Sequence, residues 1–180
     1  MAFTRDTKIN QERYVVVDIE TTGLYPKSDE IIEIAAMKVD ENGEISKFQK
    51  LIKPNIPVSS FITKLTGITN TMLENEGEDI TEVLQAFDAF IEDYTLIGHN
   101  VNFDLSFIDD KYEKYLIKNL DHKYLDTLYL ARRYMPFLPN HKLKTVAEYF
   151  QVSTKGHHRA LADVQMTLEI YIRILYHYQK

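Results

Sequence analysis

A chain of 180 residues that is 44% hydrophobic and 12% aromatic can bury one core and is short for two. Because it has no cysteine, disulfides and thiolate metal sites are excluded and a reducing cytoplasm is favoured. A formal net charge of -6 argues against a protein that coats nucleic acid through charge alone. Residues 1–13 are polar and no later stretch could span a bilayer, so we expect a soluble protein without a membrane partner.

The first part of the chain predicts strands that return on themselves. Alternating or continuous apolar residues predict strands at 14–24, 30–40 and 45–52, and a turn signal joins the last two. These strands should form an antiparallel meander. The polar residues 1–13 are expected to be a disordered tail, and residues 14–180 a single domain.

The remainder of the chain alternates between strands and helices. Short strands are predicted at 95–98 and 124–126. Caps predict two short helices, one after Ser59 or Ser60 and one after Thr69 or Asn70. Apolar spacing predicts a helix at 81–93, one that follows the strand at 95–98 and ends at about 118, and one that follows the strand at 124–126 and ends at 134. Two more helices are predicted at 142–150 and from about 158 onward. The pattern predicts an α/β fold in which helices flank a mixed sheet of five strands, three antiparallel and then parallel ones.

The first predicted strand carries two carboxylates, Asp18 and Glu20. Because side chains alternate along a strand, the two share the face opposite to the apolar residues Val15, Val17 and Ile19. Their Cα atoms should lie about 6.6 Å apart, which suits carboxylates that lean together on metal ions. An edge strand with one solvated face explains the pair equally well, so the strand alone leaves both interpretations open.

Three residues farther along extend this pair to a candidate site. Asp104 begins a helix that follows a strand, where α/β sheets place functional groups, although the helix dipole also favours an aspartate there. His158 is expected on a loop after Gly156, leaning over the site, and Asp163 in the helix that follows. A surface histidine and an ordinary helix aspartate are the alternatives.

Three segments resemble the motifs of one enzyme family in their order and spacing. Residues 18–24, 99–104 and 158–163 closely resemble the exonuclease motifs of DEDDh 3′-5′ exonucleases, the proofreading relatives of the DNA polymerase III epsilon subunit. The resemblance covers about residues 14–176 and implies a ribonuclease H-like fold. Residues 157–160 are especially similar to exonuclease domains embedded in large bacterial replicative polymerases.

The resemblance implies a role for each matched residue. Two divalent cations, Mg²⁺ with Mn²⁺ as a substitute, would be held by four carboxylates: Asp18, Glu20, Asp104 and Asp163. His158 would be the general base that accepts a proton from the attacking water. His157 competes for that role, but only His158 has the family's gap before Asp163. Arg159 stands where the sister branch has tyrosine, which excludes that branch.

Substrate contacts follow from the same resemblance. The backbone at Thr21, Thr22 and Gly23 is similar to the family's cradle for the terminal 3′-hydroxyl, and Leu24 to the side chain beside the terminal base. Phe103 would line the base pocket or pack in the core. Asn100 would contact the scissile phosphate or cap a helix. The predicted substrate-binding residues are Thr21, Thr22, Gly23, Leu24, Asn100, Phe103 and His158.

We therefore predict a metal-dependent 3′-5′ exonuclease that releases nucleoside 5′-monophosphates from single-stranded DNA, with a DNA polymerase subunit as a candidate partner. An RNA-directed exoribonuclease is the first alternative and a non-catalytic nucleic-acid-binding module the second. Asp126 is expected to support the site without binding metal. Phosphate contacts are expected among the basic residues Arg132, Arg133, Lys142, Lys144, Lys155 and Arg159.

Overall fold

A computed structural model describes residues 3–6 and 8–178 of the chain. Its strands, in chain order, are β1 (Thr4–Arg5), β2 (Tyr14–Thr21), β3 (Ile31–Val39), β4 (Ile45–Leu51), β5 (Thr95–Gly98) and β6 (Lys123–Asp126). They form one sheet in the order β1-β6-β5-β2-β3-β4. β2, β3 and β4 are antiparallel, whereas β5 is parallel to β2, β6 to β5, and β1 to β6. The predicted meander and mixed sheet are confirmed.

The helices, in chain order, are α1 (Ser60–Thr66), α2 (Asn70–Glu76), α3 (Ile80–Ile91), α4 (Asn102–Lys111), α5 (Thr127–Tyr134), α6 (Leu143–Tyr149) and α7 (Ala160–Tyr178). Ser59 and Thr69 cap α1 and α2 with their hydroxyl groups, as one of the two alternatives predicted for each. The helix predicted to end at about residue 118 consists of two parts: α4 ends at Lys111, and a π-helical turn at Tyr112–Leu116 follows it directly. No helix among the described residues is long and apolar enough to cross a bilayer.

The sheet has six strands and not the five predicted, because Thr4–Arg5 pairs with β6. The hydroxyl group of Tyr171 on α7 donates to the carbonyl of Ile9 at 2.8 Å and accepts from the N–H of Gln11 at 3.1 Å. The described part of the predicted tail is therefore bonded to the sheet and to α7. A two-residue strand shows no apolar alternation, so the sequence did not reveal it. Part of that tail lies outside the described residues: Met1, Ala2 and Thr7.

The sheet is covered on both faces, and β2 contributes to the core on each. Its residues 15, 17 and 19 join a cluster with α3 and α4, whereas Tyr14 and Val16 join a cluster with α5, α6 and α7. Because side chains alternate, Asp18 and Glu20 lie on the α7 face. The prediction that both carboxylates share the face opposite to Ile19 agrees with this packing.

The hydrogen bonds of Tyr171 with Ile9 and Gln11 predict that removing its hydroxyl group lowers the stability of the protein. Tyr171→Phe should lower the free energy of unfolding by about 1–2 kcal/mol, because it leaves a carbonyl and an N–H without their partner. Hydrogen exchange should quicken at Gln11. Tyr25→Phe is the matched control, because Tyr25 is 71% exposed. Equal stability of the two variants in chemical denaturation would show that the contact contributes nothing.

Candidate active site

The site lies at the carboxyl end of β2, where this strand leaves its parallel neighbour. β2 pairs with β5 only from Tyr14 to Val16, but its antiparallel pairing with β3 continues to Thr21. Beyond the part paired with β5, the N–H of Ile19 donates to Oδ1 of Asp104 at 3.1 Å. Because β5 no longer pairs with β2 beyond Val16, the carboxylate of Asp104 in the first turn of α4 can bond the backbone of β2 there.

Carboxylates from β2, α4 and α7 converge here. Asp18, Glu20 and Asp163 each place a carboxylate oxygen within 4.8 Å of the others. Asp104 is 4% exposed and Asp163 is 5% exposed. Each lies in the first turn of its helix, where the positive end of the helix dipole favours an anion. The structure therefore brings together the four acidic residues that the motifs predicted.

Burial and repulsion from neighbouring carboxylates raise the pKa values of Asp18, Glu20 and Asp104. Burial and then the charges of Asp104 and Asp163 raise the pKa of Asp18 well above its ordinary value. Burial and then repulsion from Asp163 raise the pKa of Glu20 to about 8. Burial also raises the pKa of Asp104 to about 8, although the hydrogen bond from the backbone of β2 opposes the shift. With pKa values of about 8, Glu20 and Asp104 favour the protonated form near neutral pH unless a cation takes the place of the proton.

The donor set fits a hard divalent cation. All of its members are carboxylate oxygens, which Mg²⁺ and Mn²⁺ prefer to nitrogen or sulfur. Positive charge among them would relieve the repulsion that raises the pKa of Glu20. Asp18, Glu20, Asp104 and Asp163 are thus the residues suited to hold such ions.

Two adjacent histidines border the carboxylates. Nδ1 of His157 lies 2.7 Å from Oδ1 of Asp163, and the backbone N–H of His158 donates to Oδ2 of Asp163 at 3.3 Å. The two rings stack with their centroids 3.9 Å apart. Burial and then the neighbouring His157 lower the pKa of His158. Both histidines therefore lie at the site, and the role of His158 as the general base stays a prediction.

The loop that follows β2 has the compact backbone expected of a substrate cradle. The hydroxyl group of Thr21 donates to the carbonyl of Gly23 at 2.6 Å, and that of Thr22 accepts from the N–H of Glu30 at 2.9 Å. A Cβ on Gly23 would lie 2.5 Å from the carboxylate of Asp29, so any side chain there would displace Asp29. The contact of this loop with a 3′-hydroxyl stays a prediction.

The remaining predicted substrate residues differ in their surroundings. Leu24 is 72% exposed, so it does not pack in the core. Phe103 is half-buried and packs against Phe107, with ring centroids 5.0 Å apart. The N–H of Asn100 donates to Oδ1 of Asp126 at 2.9 Å. α4 has Val101 as its N-cap residue, so the capping role considered for Asn100 is not observed. Its phosphate contact stays a prediction.

One acidic residue at the site was missed by the sequence analysis. Glu33 on β3 lies directly opposite Glu20 and is 0% exposed. It accepts from Nε and Nη2 of Arg159 at 3.2 and 2.9 Å and from the N–H of Ala160 at 3.0 Å. Burial opposes its ionisation, yet the hydrogen bonds from Arg159 and the other donors hold the pKa of Glu33 below its ordinary value. The charge of Glu33 within the otherwise apolar residues 31–37 of β3 was the available signal.

The predicted phosphate contacts divide into two groups. Arg159 is already paired with Glu33. The others are exposed: Arg132, Arg133, Lys142, Lys144 and Lys155. The segment that precedes Lys142 is tied to the end of β5, because Nε2 of His99 bonds the carbonyl of His141 at 2.8 Å. Lys144 is near enough to His158 for its charge to help lower the pKa of that histidine.

Fold and site together define an α/β protein of the ribonuclease H-like class with an acidic site suited to divalent cations. A family model for RNase T, described as Exonuclease, matches residues 15–171. The chain belongs to this exonuclease family.

Its curated relatives are much longer proteins. The chain is 46% identical over 162 residues to a PolC-type DNA polymerase III of Caldanaerobacter subterraneus subsp. tengcongensis, covering 90% of this chain and 11% of the relative. It is 38% identical over 168 residues to the PolC-type DNA polymerase III of Bacillus subtilis, covering 93% of this chain and 12% of the relative. The chain thus spans a small part of the length of these relatives.

Solved structures share the fold. The zinc-bound E. coli exonuclease I complex with single-stranded DNA matches with a TM-score of 0.80 at 20% identity, over 94% of this chain and 42% of that one. The complex of E. coli exonuclease I with a dA16 oligonucleotide matches with a TM-score of 0.78 at 20% identity, over 92% and 40%. At this identity the likeness concerns the fold alone.

The raised pKa values predict that stabilisation by a cation depends on pH. The pKa values of Glu20 and Asp104, about 8 in the folded protein, exceed their ordinary values. The stability that their protonation contributes is complete below the ordinary pKa and is lost as pH rises through about 8. Since a cation binds the deprotonated forms, Mn²⁺ should raise the Tm more at about pH 8.5 than at about pH 6.

Thermal unfolding with and without Mn²⁺ across this pH range is the measurement. Asp18→Asn should lose most of the Mn²⁺-dependent shift, whereas Asp121→Asn, at an exposed position, should keep it. A shift that is the same at every pH, or the same in Asp18→Asn as in the unchanged protein, would contradict the assignment of these carboxylates as cation ligands.

Proposed function

We propose that this chain hydrolyses single-stranded DNA from the 3′ end and releases nucleoside 5′-monophosphates in a reaction that requires divalent cations. The observation that carries the proposal is the convergence of Asp18, Glu20, Asp104 and Asp163 beside a histidine pair. Membership of the exonuclease family supports it. The roles of the individual residues are part of the proposal.

Each group of the site has a defined task in such a reaction. The four carboxylates would hold the cations, which supply Lewis-acid activation of the nucleophile and charge stabilisation at the leaving oxygen. A ring nitrogen of His158 accepts a proton from the attacking water, a task that suits an imidazole whose lowered pKa favours the neutral form. The water oxygen bonds to phosphorus, the bond from phosphorus to O3′ breaks, and the O3′ of the shortened strand takes up a proton.

The substrate and the setting are inferred from the relatives. E. coli exonuclease I, which shares the fold, has been solved with single-stranded DNA. The chain is 46% and 38% identical to the two PolC-type DNA polymerases III described above. We therefore infer that it proofreads next to a polymerase in the cytoplasm. The exposed Leu24 in the loop that follows β2 is suited to apolar contact with any terminal base, as an exonuclease without sequence preference needs.

The proposal is tested with a 5′-labelled DNA oligonucleotide and its RNA counterpart, in Mg²⁺ and in EDTA. We expect a ladder that shortens from the 3′ end of the DNA in Mg²⁺ and no product in EDTA. His158→Ala should lower kcat by about 100-fold or more, because it removes the general base. His157→Ala should have the smaller effect.

Each other result points to a different conclusion. A larger loss in His157→Ala would transfer the role of general base to His157, whose ring already bonds Asp163. Faster cleavage of the RNA would favour an exoribonuclease. Intact DNA and RNA in Mg²⁺ and Mn²⁺, from protein shown to be folded, would favour a non-catalytic binding module.

Lys142 and Lys144, two exposed lysines that precede His157 and His158 in the chain, predict how DNA binding should depend on salt. Lys142→Glu with Lys144→Glu should weaken DNA binding and flatten the slope of log K against log salt by roughly 1.4, since about 0.7 is expected for each phosphate contact to a single strand. The matched control reverses the exposed Lys47 and Lys123, which changes the net charge equally. If the control lowers affinity and slope as much, net charge rather than contact is the cause.

A further inference from the structure

The loop that presents His158 has a strained backbone. His158 has φ 71°, in the left-handed region, and Gly156 has φ 82°. The conformation costs a side-chain-bearing residue such as His158 about 1–2 kcal/mol. Such a conformation persists only where neighbouring contacts fix it, and it often occurs at functional sites.

The contacts that fix the loop come from the next two residues along the chain. The guanidinium of Arg159 pairs with the carboxylate of Glu33 through two nitrogens, and the N–H of Ala160 donates to the same carboxylate. These bonds anchor the start of α7 to β3. The N–H of Asp163 then donates to the carbonyl of Arg159 at 3.1 Å, so the anchored turn leads directly to a carboxylate of the site.

Glu33 is itself held firmly. It lies on β3, which is paired along both edges, and Nε2 of Gln49 on β4 donates to its Oε1 at 2.8 Å. Oε1 thus accepts from Gln49 and Arg159, and Oε2 accepts from Arg159 and Ala160. Four donors use the capacity of a carboxylate, so no lone pair is left for a cation. Glu33 therefore differs in kind from Glu20, which it faces across the two strands.

We propose that Glu33 is a positioning residue that acts through Arg159 and Ala160 to fix His158 and Asp163 against the carboxylates of β2. The inference rests on the proposed exonuclease function and names a further residue on which that function depends. Arg159 is consequently part of the scaffold of the site, rather than a phosphate contact. Removing one member of such a hydrogen-bonded pair leaves the other charge without its partner, so the turn should lose its fixed conformation.

The test compares Glu33→Gln and Arg159→Lys with the unchanged protein. Glu33→Gln should lower kcat by about 10- to 100-fold, as removal of groups that orient ligands does, while the KM for DNA stays near its original value. Arg159→Lys should act in the same direction, because lysine cannot make the two-pronged contact. The matched control is Glu78→Gln, which breaks the partly exposed pair with Lys50 at 2.7 Å and should leave kcat unchanged.

Non-additivity separates positioning from a general loss of stability. Because Glu33 is proposed to act partly through His158, Glu33→Gln should lower kcat by a smaller factor when it is added to His158→Ala than when it is made in the unchanged protein. A fall of the same factor in both backgrounds would overturn the proposal, as would a Glu33→Gln enzyme with the original kcat. If Glu33→Gln does not fold, Arg159→Lys provides the same comparison, since its side chain is 35% exposed.

A readout that needs no turnover keeps the two proposals apart. The ring resonances of His157 and His158 in NMR spectra should shift in Glu33→Gln and stay in place in Glu78→Gln. An inactive unchanged protein with these shifts would contradict the proposed function and uphold the positioning role. If the unchanged protein is active and Glu33→Gln alters neither the histidine resonances nor kcat, the proposed function is upheld and the positioning role of Glu33 is contradicted.

Discussion

The repulsion among four carboxylates, two of them buried and two half-buried, is the constraint on which the rest of the structure depends. Two of them lie in the first turns of helices, so α4 and α7 must both begin at the end of β2. Backbone N–H groups of Ile19 and His158 donate to Asp104 and Asp163, which lowers the cost of burying charge. The remaining cost shows as the raised pKa of Glu20. Cations would stabilise the folded chain for the same reason that they serve the chemistry.

Glu20 and Glu33 show how surroundings decide the behaviour of identical side chains. They face each other on adjacent strands, and both are largely withdrawn from water. Glu20 has carboxylates around it, so burial and repulsion raise its pKa to about 8. Glu33 has a guanidinium and neutral donors, which hold its pKa below the ordinary value in spite of burial. One glutamate is left available for a cation, and the other is committed to Arg159 within the protein.

Local patterns in the sequence predicted most of the sheet, because alternation and turn residues act over a few positions. They placed Asp18 and Glu20 on one face of β2 and the meander beside it. They did not show β1, whose pairing with β6 joins distant parts of the chain. The bond between Arg159 and Glu33 spans 126 positions, so the charge of Glu33 within an apolar run could mark an unusual residue but could not identify its partner. The spacing before Asp163 favoured His158, but only the folded turn shows that the ring of His157 bonds this carboxylate.

The position of the site follows from the change in strand direction at β2. A parallel neighbour such as β5 must leave the sheet at its carboxyl end and enter a helix, whereas the antiparallel β3 begins near that end and stays beside β2. The carboxyl end of β2 is thus paired on one side and open on the other, which is where α4 delivers Asp104. This arrangement depends on strand order rather than on most side chains. It explains how E. coli exonuclease I can share the fold with a TM-score of 0.80 at only 20% identity.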